Sequence, residues 1–530
     1  MKGLKGFSIV VIVTFVILAG CNEYSFYQEL GDPIPEGATI PSLGLSIQPS
    51  SATVYIGEKV TFYATGGVEP YSYSVVNGSD ATLYGTIDED TGVYTAPLAA
   101  IDAVTVRVTD SDSNTSDATV TVIDYPAFTV YPTSMKVYEG FTMEVTGGIP
   151  PYTFEVIDGG GTIDSSTGVY DAPGYSDTVT VRVKDSAGRP DEVTFPVRWN
   201  RETVDDGSGN VVGLYSSLKM DSSGNPHIAY YDSTNGNLDY AYWNGSSWNV
   251  EVADSTGDVG KYCSLALDSL DDAHVSYYDT AEDLYHIKRQ GGTWLARDTI
   301  TSSGTIRGRY SSIALDSSGN YHISYLVDLK LYYYSIAQGE VEVDNTSGAG
   351  FYTSIAIDNN GFPGISYRNN TTKELKYAYY NGSSWIKQTL PVTGDTGYYT
   401  SLAFDSKGNP HISFYDADNQ DVEYISYDGT SWGNPEVVDT NLGDCVTGVY
   451  GNTSLVIDSN DVPHIAYYNA NKTALMYAFK ESDGTWHTDV VDNNGNVGQY
   501  LSIALYVKNG RERVAFSYYD EDNGALKYAY

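Results

Sequence analysis

The sequence predicts an all-β protein: two antiparallel β-sandwiches, then a seven-bladed β-propeller closed by an N-terminal outer strand. Three observations predict it. A unit beginning Gly-x-Tyr-x-Ser-Leu recurs with its serine at Ser217, Ser264, Ser312, Ser354, Ser401, Ser454 and Ser502, spaced 47, 48, 42, 47, 53 and 48 residues. A period in the forties with four strand signals per period indicates propeller blades. The last copy stops at Leu526-Lys527-Tyr528-Ala529-Tyr530, and its missing final strand stands in front of the first copy as Trp199-Asn200-Arg201-Glu202-Thr203-Val204-Asp205. Such a permutation builds one blade from both ends of the repeat and locks a ring.

The N-terminus reads as a processing signal. Lys2 and Lys5 precede an apolar run from Ile9 to Ile17, too short for a typical membrane span, which ends in Leu18-Ala19-Gly20-Cys21. These four residues resemble the bacterial lipobox. The resemblance implies a signal peptide over 1–20, acylation of Cys21, and attachment at the outer membrane or cell surface. Asn22, where an aspartate would favour inner-membrane retention, leans to the outer membrane. Several acyl chains give stable anchoring where one is marginal. Residues 21–43 are polar and rich in Gly and Pro, a flexible tether.

Two related units follow, at 44–124 and 125–198. Thr65-Gly66-Gly67-Val68-Glu69-Pro70-Tyr71 matches Thr146-Gly147-Gly148-Ile149-Pro150-Pro151-Tyr152, and each unit closes with Val-Thr-Val-Arg-Val, at 104–108 and 179–183. Alternating β-branched residues between Gly, Pro and Asp turns indicate antiparallel sandwiches. The units resemble bacterial immunoglobulin-like domains without the antibody disulfide, which implies spacers that hold a head away from the membrane. The last strand of the second, Val193 to Arg198, runs straight into Trp199, so the second sandwich is expected to be rigidly coupled to the ring.

The ring occupies 199–530. Each blade reads roughly Tyr-x-Ser-Leu-x-Leu, then His-Ile-Ala-Tyr-Tyr, then Leu-x-Tyr-Ala-Tyr, then a strand opening at Trp (absent from the third blade), with Asp-Ser-x-Gly-Asn as the first turn. The blades resemble BNR and sialidase-like propellers in pattern but not in signature. The sialidase Asp-box places Ser-x-Asp-x-Gly-x-x-Trp at the third turn, where this chain has Gly-Ser-Ser-Trp. Calcium loops are absent too, with one carboxylate per turn.

Five blades open the second strand with histidine: His227, His274, His322, His411 and His464; Gly364 and Ala515 replace it in the others. Equivalent residues on different blades cannot converge within about 2.0–2.2 Å of one ion. The histidines are therefore expected to pack, each imidazole bonded to a turn, and no metal site is expected. The recurrent Tyr215, Tyr262, Tyr310, Tyr352, Tyr399, Tyr450 and Tyr500 are expected to pack near the axis.

Ligand contacts are expected where the second strand ends: Tyr231-Asp232, Tyr278-Asp279, Tyr415-Asp416, Tyr468 and Tyr519-Asp520. Aromatic faces beside carboxylates suit sugars, although the same residues could merely cap strands. Arg307, Arg309 and Arg368 are expected on the same face at the boundary of blades three and four, where the repeat breaks. Their planar forks could hold a carboxylate or sulfate. A sialidase further needs a tyrosine nucleophile with a glutamate and an acid, which the sequence does not place.

With 68 acidic against 29 basic residues the net charge is −39, which repels phosphate backbones and anionic membrane surfaces. Nucleic acid is excluded as a partner. Three cysteines exclude a disulfide framework, and Cys263 and Cys445 fall in blades two and six, across the ring. No cofactor is expected, with calcium the one ion left open. The sequence points to an anchored, monomeric surface lipoprotein whose head binds an extracellular glycan or surface protein without catalysis. The alternatives are a glycan-active hydrolase or lyase, and a protein-interaction scaffold or adhesin.

Overall fold

The computed structural model describes residues 44–530, apart from Phe128, Glu282, 302–306 and 446–452. Cys21 and Tyr450 therefore lie outside the described residues. The chain divides into two compact units after Ala127.

The first unit contains a four-stranded sheet in the order Ser51–Tyr55, Thr115–Ile123, Ile101–Thr109, Ser72–Val75. Its outer strand Ser51–Tyr55 runs parallel to Thr115–Ile123, and the remaining pairs are antiparallel. A three-stranded sheet (Lys59–Thr61, Val93–Thr95, Thr86–Ile87) completes the unit with a short pair, Ser46–Gln48 with Tyr63–Thr65. The alternation in Val104-Thr105-Val106-Arg107-Val108 is the cause. Its three valines are fully buried beside Phe62 and Tyr94, while Arg107 points outward to Asp117.

The second unit begins with the same topology: Met135–Lys136 parallel to Pro190–Arg198, then Asp177–Lys184 and Thr153–Asp158. It continues into seven antiparallel sheets, a propeller-like array. Within each sheet the strands follow chain order, except where Arg201–Asp205 pairs with Ala525–Ala529 at the outer edge of the last sheet. Both ends of the repeat region thus share one sheet.

The first strand of each sheet lies against the first strand of the next, and Leu214–Met220 lies against Val497–Lys508, so the array is cyclic. The recurrent serine makes this contact. Its Oγ accepts the backbone N–H of the apolar residue that follows the next sheet's serine. Leu265 donates to Ser217 at 2.9 Å, Ile313 to Ser264 at 3.2 Å and Ile355 to Ser312 at 3.2 Å. Leu402 donates to Ser354, Leu455 to Ser401, Ile503 to Ser454 and finally Leu218 to Ser502 at 3.1 Å. Seven hydrogen bonds therefore run once around the axis. A buried backbone N–H must be paired, and the serine does this where no ladder partner exists.

Further out, a tyrosine of the second strand donates to an aspartate ending the previous sheet. The pairs include Tyr230–Asp205, Tyr277–Asp254, Tyr367–Asp344, Tyr467–Asp439 and Tyr518–Asp492. One junction replaces both partners together: Leu390 and Phe414 lie in the same buried apolar cluster. Restoring the hydroxyl alone, Phe414→Tyr, would bury a phenol with no carboxylate to accept its bond. We expect a loss of about 1–3 kcal/mol in denaturant unfolding, reversed in the Leu390→Asp/Phe414→Tyr double variant.

A tryptophan at the fourth strand joins six of the seven sheets to the one before; the third sheet, whose fourth strand is Gly339–Asp344, has none. Trp248, Trp294, Trp385, Trp432 and Trp486 meet Tyr528, Tyr240, Tyr333, Tyr377 and Tyr424 edge-on at 5.0–5.4 Å. Trp199 takes the same place against Tyr477 at 5.6 Å. It also touches Tyr138 of the preceding module and donates Nε1–H to Asp489 at 2.7 Å, which accepts from Ser176 as well. The expected coupling of that module to the ring is made by these contacts.

Candidate functional site

The residues expected at the end of the second strand are turned inward. Asp232, Asp279, Asp416 and Asp520 are 3%, 7%, 1% and 2% exposed. Their carboxylates hold their own turns: Asp232 Oδ1 accepts from the backbones of Thr234 and Asn235, and Oδ2 from the Asn235 side chain. Asp416 and Asp520 repeat the pattern with Asn419 and Asn523, and Asp279 accepts from the Asp283 backbone. Tyr231 donates to Asp258, Tyr415 to the Gly443 carbonyl and Tyr468 to Asn496. Tyr278 accepts from Arg309, and buried Tyr519 meets Tyr500 edge-on. The physical reason is that the second strand is covered on both faces by neighbouring sheets, so its end remains in the protein interior.

The arginines do not form the expected anion fork. Arg368 is 1% exposed, lies over the Tyr398 ring at 3.9 Å, and spends its donors on Thr396, Asp395, Asn370 and Tyr398. Arg307 bonds Thr301 and lies 3.9 Å from Glu340, and Arg309 lies over Tyr278. Arg368 replaces a tyrosine of the repeat, and burial of its charge is offset locally by Asp395.

The axis holds a cavity of about 360 Å³, walled by tyrosines 215, 262, 310, 352, 399 and 500 and by the Ser and Thr residues that follow them. All six tyrosines have positive φ, from 49° to 58°. That region is costly for a bulky side chain. It persists because neighbouring rings pack at 4.6–4.9 Å around the axis, from Tyr500 through Tyr215, Tyr262, Tyr310 and Tyr352 to Tyr399. The side chain that follows also ties each tyrosine carbonyl to the next sheet, as the hydroxyls of Ser311 and Thr353 do for Tyr262 and Tyr310 and the Cys263 thiol does for Tyr215.

The histidines bridge a turn and a strand, as their recurrence suggests. His322 Nδ1 meets the Tyr333 hydroxyl at 2.6 Å and Nε2 lies 3.6 Å from Asp316. His227, His411 and His464 do the same with Tyr240, Tyr424 and Tyr477. His274 faces His286, whose burial lowers it to about 4. Among the described residues no group of three or more His, Cys, Asp or Glu could hold a metal ion. Cys263 and Cys445 are free, buried thiols.

Where the histidine is missing, a cleft opens between sheets. At Gly364 it has a volume of about 280 Å³. Tyr377, Tyr379, Tyr380, Phe404, Tyr427 and Trp432 supply aromatic walls, and Asp358, Gln388 and Asn409 supply polar groups. Asp358 and Tyr377 are the counterparts of the pair that holds an imidazole elsewhere. The tips of Tyr377 and Phe404 lean over Gly364, within 3.0 Å of where a Cβ would stand. A second cleft, of about 250 Å³, lies between the last sheet, the one that carries Ala515, and the first, walled by Tyr528, Tyr530, Trp243 and Trp248. A break in the repeat is the sequence signal for both clefts, and reading the histidine as mere packing passed over what its loss would open.

Two buried acids lie elsewhere in the ring. Asp239 is raised to about 7 by burial and by Asp232 and Asp205, and its Oδ1 has no partner. Glu423 is raised to about 7 by burial, Asp416 and Asp421.

No protein-family model matches the chain, and neither does any curated protein. Among solved structures it is similar to AofleA from Arthrobotrys oligospora (13% identity, 60% of this chain and 93% of that one, TM-score 0.37). It is also similar to the six-bladed β-propeller lectin of Aleuria aurantia (14% identity, 53% and 96%, TM-score 0.37). A third is virginiamycin B lyase from Staphylococcus aureus (8% identity, 63% and 98%, TM-score 0.42).

Proposed function

We propose that this chain is an exported lipoprotein, anchored through Cys21, whose two immunoglobulin-like modules carry a seven-bladed propeller head that binds glycans without catalysis. The observation that carries the binding role is the Gly364 cleft. Seven aromatic side chains and three polar ones converge on a space of about 280 Å³, just under the range of about 300–1,000 Å³ typical of small-molecule sites. That is a fit for one sugar ring. Aromatic faces take its C–H face and the carboxylate and amides take its hydroxyls. Tyr377 makes no hydrogen bond through its hydroxyl among the described residues, which leaves it for a ligand. The anchor, tether and modules rest on the lipobox and on the repeated sandwich patterns, and they suit display of such a head at a distance from the membrane.

The test is calorimetric titration of the soluble fragment 22–530 with methyl glycosides of neutral hexoses and deoxyhexoses. Tyr379→Ala and Tyr427→Ala each remove a half-buried wall and spare Trp432. Each is expected to weaken binding about 10-fold, consistent with loss of one aromatic contact of about 1–1.5 kcal/mol. Binding untouched by both variants would move the site away from the cleft.

A further inference from the structure

The second cleft, between the last sheet and the first, differs from the Gly364 cleft in charge. Exposed Lys508 stands at its lip, and a further cavity of about 240 Å³ adjoins it, sharing Tyr506, Lys508 and Tyr530. That cavity is bounded by Lys136 of the second module and by Arg513 of the ring. Arg198 pairs with Lys136 across neighbouring strands.

In a chain with 68 acidic residues and 29 basic ones, most of the described cations hold a carboxylate. Arg201 pairs with Asp492, Arg297 with Asp254, Lys376 with Asp344 and Lys480 with Glu436. Lys136, Arg198, Lys508 and Arg513 make no ion pair among the described residues. Arg513 lies over the Tyr138 ring at 5.2 Å with its Nε buried and unbonded. Two carboxylates line these cavities as well, Glu202 the first and Glu139 the second, and their oxygens hold other donors. Glu202 accepts from Trp248, Asn200 and Tyr530, Glu139 from the Lys136 backbone, and Asp171 from Arg511.

We propose that this groove, from the second cleft to the seam between module and ring, binds an anionic oligosaccharide. One ring lies on Trp243 and Trp248, and its carboxylate or sulfate meets Lys508, Lys136 and Arg513. Two adjoining cavities of about 250 and 240 Å³ call for at least two sugar units. The groove is assembled by ring closure. Glu202 and Tyr530 come from the two ends of the repeat region and Lys136 from the module, so the ligand would also hold the ring shut by mass action. That the ligand is a saccharide rests on the proposed function; that it is an anion rests on the unpaired cations alone.

The test titrates fragment 22–530 with tetragalacturonate, a chondroitin 6-sulfate tetrasaccharide and neutral maltotetraose. The anionic probes are expected to bind, and the better of the two identifies carboxylate or sulfate as the preferred group. Lys508→Gln and Lys136→Gln change exposed residues and should leave folding intact. Together they are expected to weaken the anionic probe at least 10-fold, and Arg513→Gln to do so alone, with neutral binding unchanged. Tyr379→Ala, in the other cleft, should leave anionic binding unchanged. Failure of both anionic probes to bind, or binding indifferent to all three substitutions, would overturn the proposal. Neutral glycoside binding lost in Tyr379→Ala would stand in either case, so the two readings fail separately.

Discussion

Replacing Trp199 by alanine is expected to destabilise the second unit by about 3–5 kcal/mol, the range for removing a large aromatic side chain from a core. The indole is 5% exposed. Its edge meets Tyr477, Phe516 and Tyr138 at 5.6, 5.2 and 6.2 Å, so one side chain joins the sixth sheet, the last sheet and the preceding module. Its Nε1–H is one of the donors to Asp489, a carboxylate 7% exposed that would be left with only Ser176. The cost thus adds a cavity to an under-satisfied buried charge. The equivalent Trp432→Ala, which bridges only two sheets, is expected to cost less. Chemical denaturation followed by tryptophan fluorescence and far-UV circular dichroism reads this. The sharper signature is a lowered midpoint for the ring with an unmoved transition for the unit ending at Ala127. An unchanged ring midpoint would show that the sheets close without this residue.

The second large effect concerns Asp239. Its carboxyl is 6% exposed, one oxygen has no partner, and Asp232 and Asp205 face it. Burial first, then these two charges, raise it from near 3.8 to about 7. The folded protein therefore keeps a proton that the unfolded chain releases as pH rises above about 4. The unfolded state binds fewer protons in that window, so stability falls as pH rises from about 4 to 7 and stays low above it. Each pK unit corresponds to about 1.4 kcal/mol, which makes the difference about 2–4 kcal/mol after some relaxation. Asp239→Asn removes the ionisation and keeps the shape. It should match the wild type near pH 4 and exceed it in melting temperature at pH 8. Glu423→Gln should act in the same direction, since burial and the neighbouring Asp416 and Asp421 raise that group as well. A constant gap between variant and wild type across pH would refute the account.

Much of the fold was legible because repetition averages out local ambiguity. A single Tyr-x-Ser-Leu run says little, whereas seven with recurrent turns, six of them matched by a tryptophan, specify a strand order. The displaced Trp199–Asp205 segment even announced its partner, the strand Ala525–Ala529. The histidine bridge was legible for the same reason. The site was less so. Tyr-Asp at the end of the second strand reads as a ligand rim because that strand ends on the face where propellers usually bind ligands, and aromatic faces beside carboxylates suit sugars. Here Asp232 and its counterparts fold back on their own turns, and Arg368 is swallowed with Asp395.

By itself the sequence determined the number of repeats, the strand alternation, the turn chemistry and the permuted closing strand. All of these are set within one repeat or by comparing repeats, where backbone geometry and hydrophobic periodicity act locally. Only the tertiary structure decided which polar side chains face inward, that the serine hydroxyls link sheet to sheet around the axis, and that clefts lie beside the two sheets that lack the histidine. It alone gathered Lys136 and Arg198 of the module with Lys508 and Arg513 of the last sheet, none of them in an ion pair among the described residues. Burial and charge compensation depend on what the neighbouring sheet contributes, and that neighbour lies a whole repeat or more away in the chain.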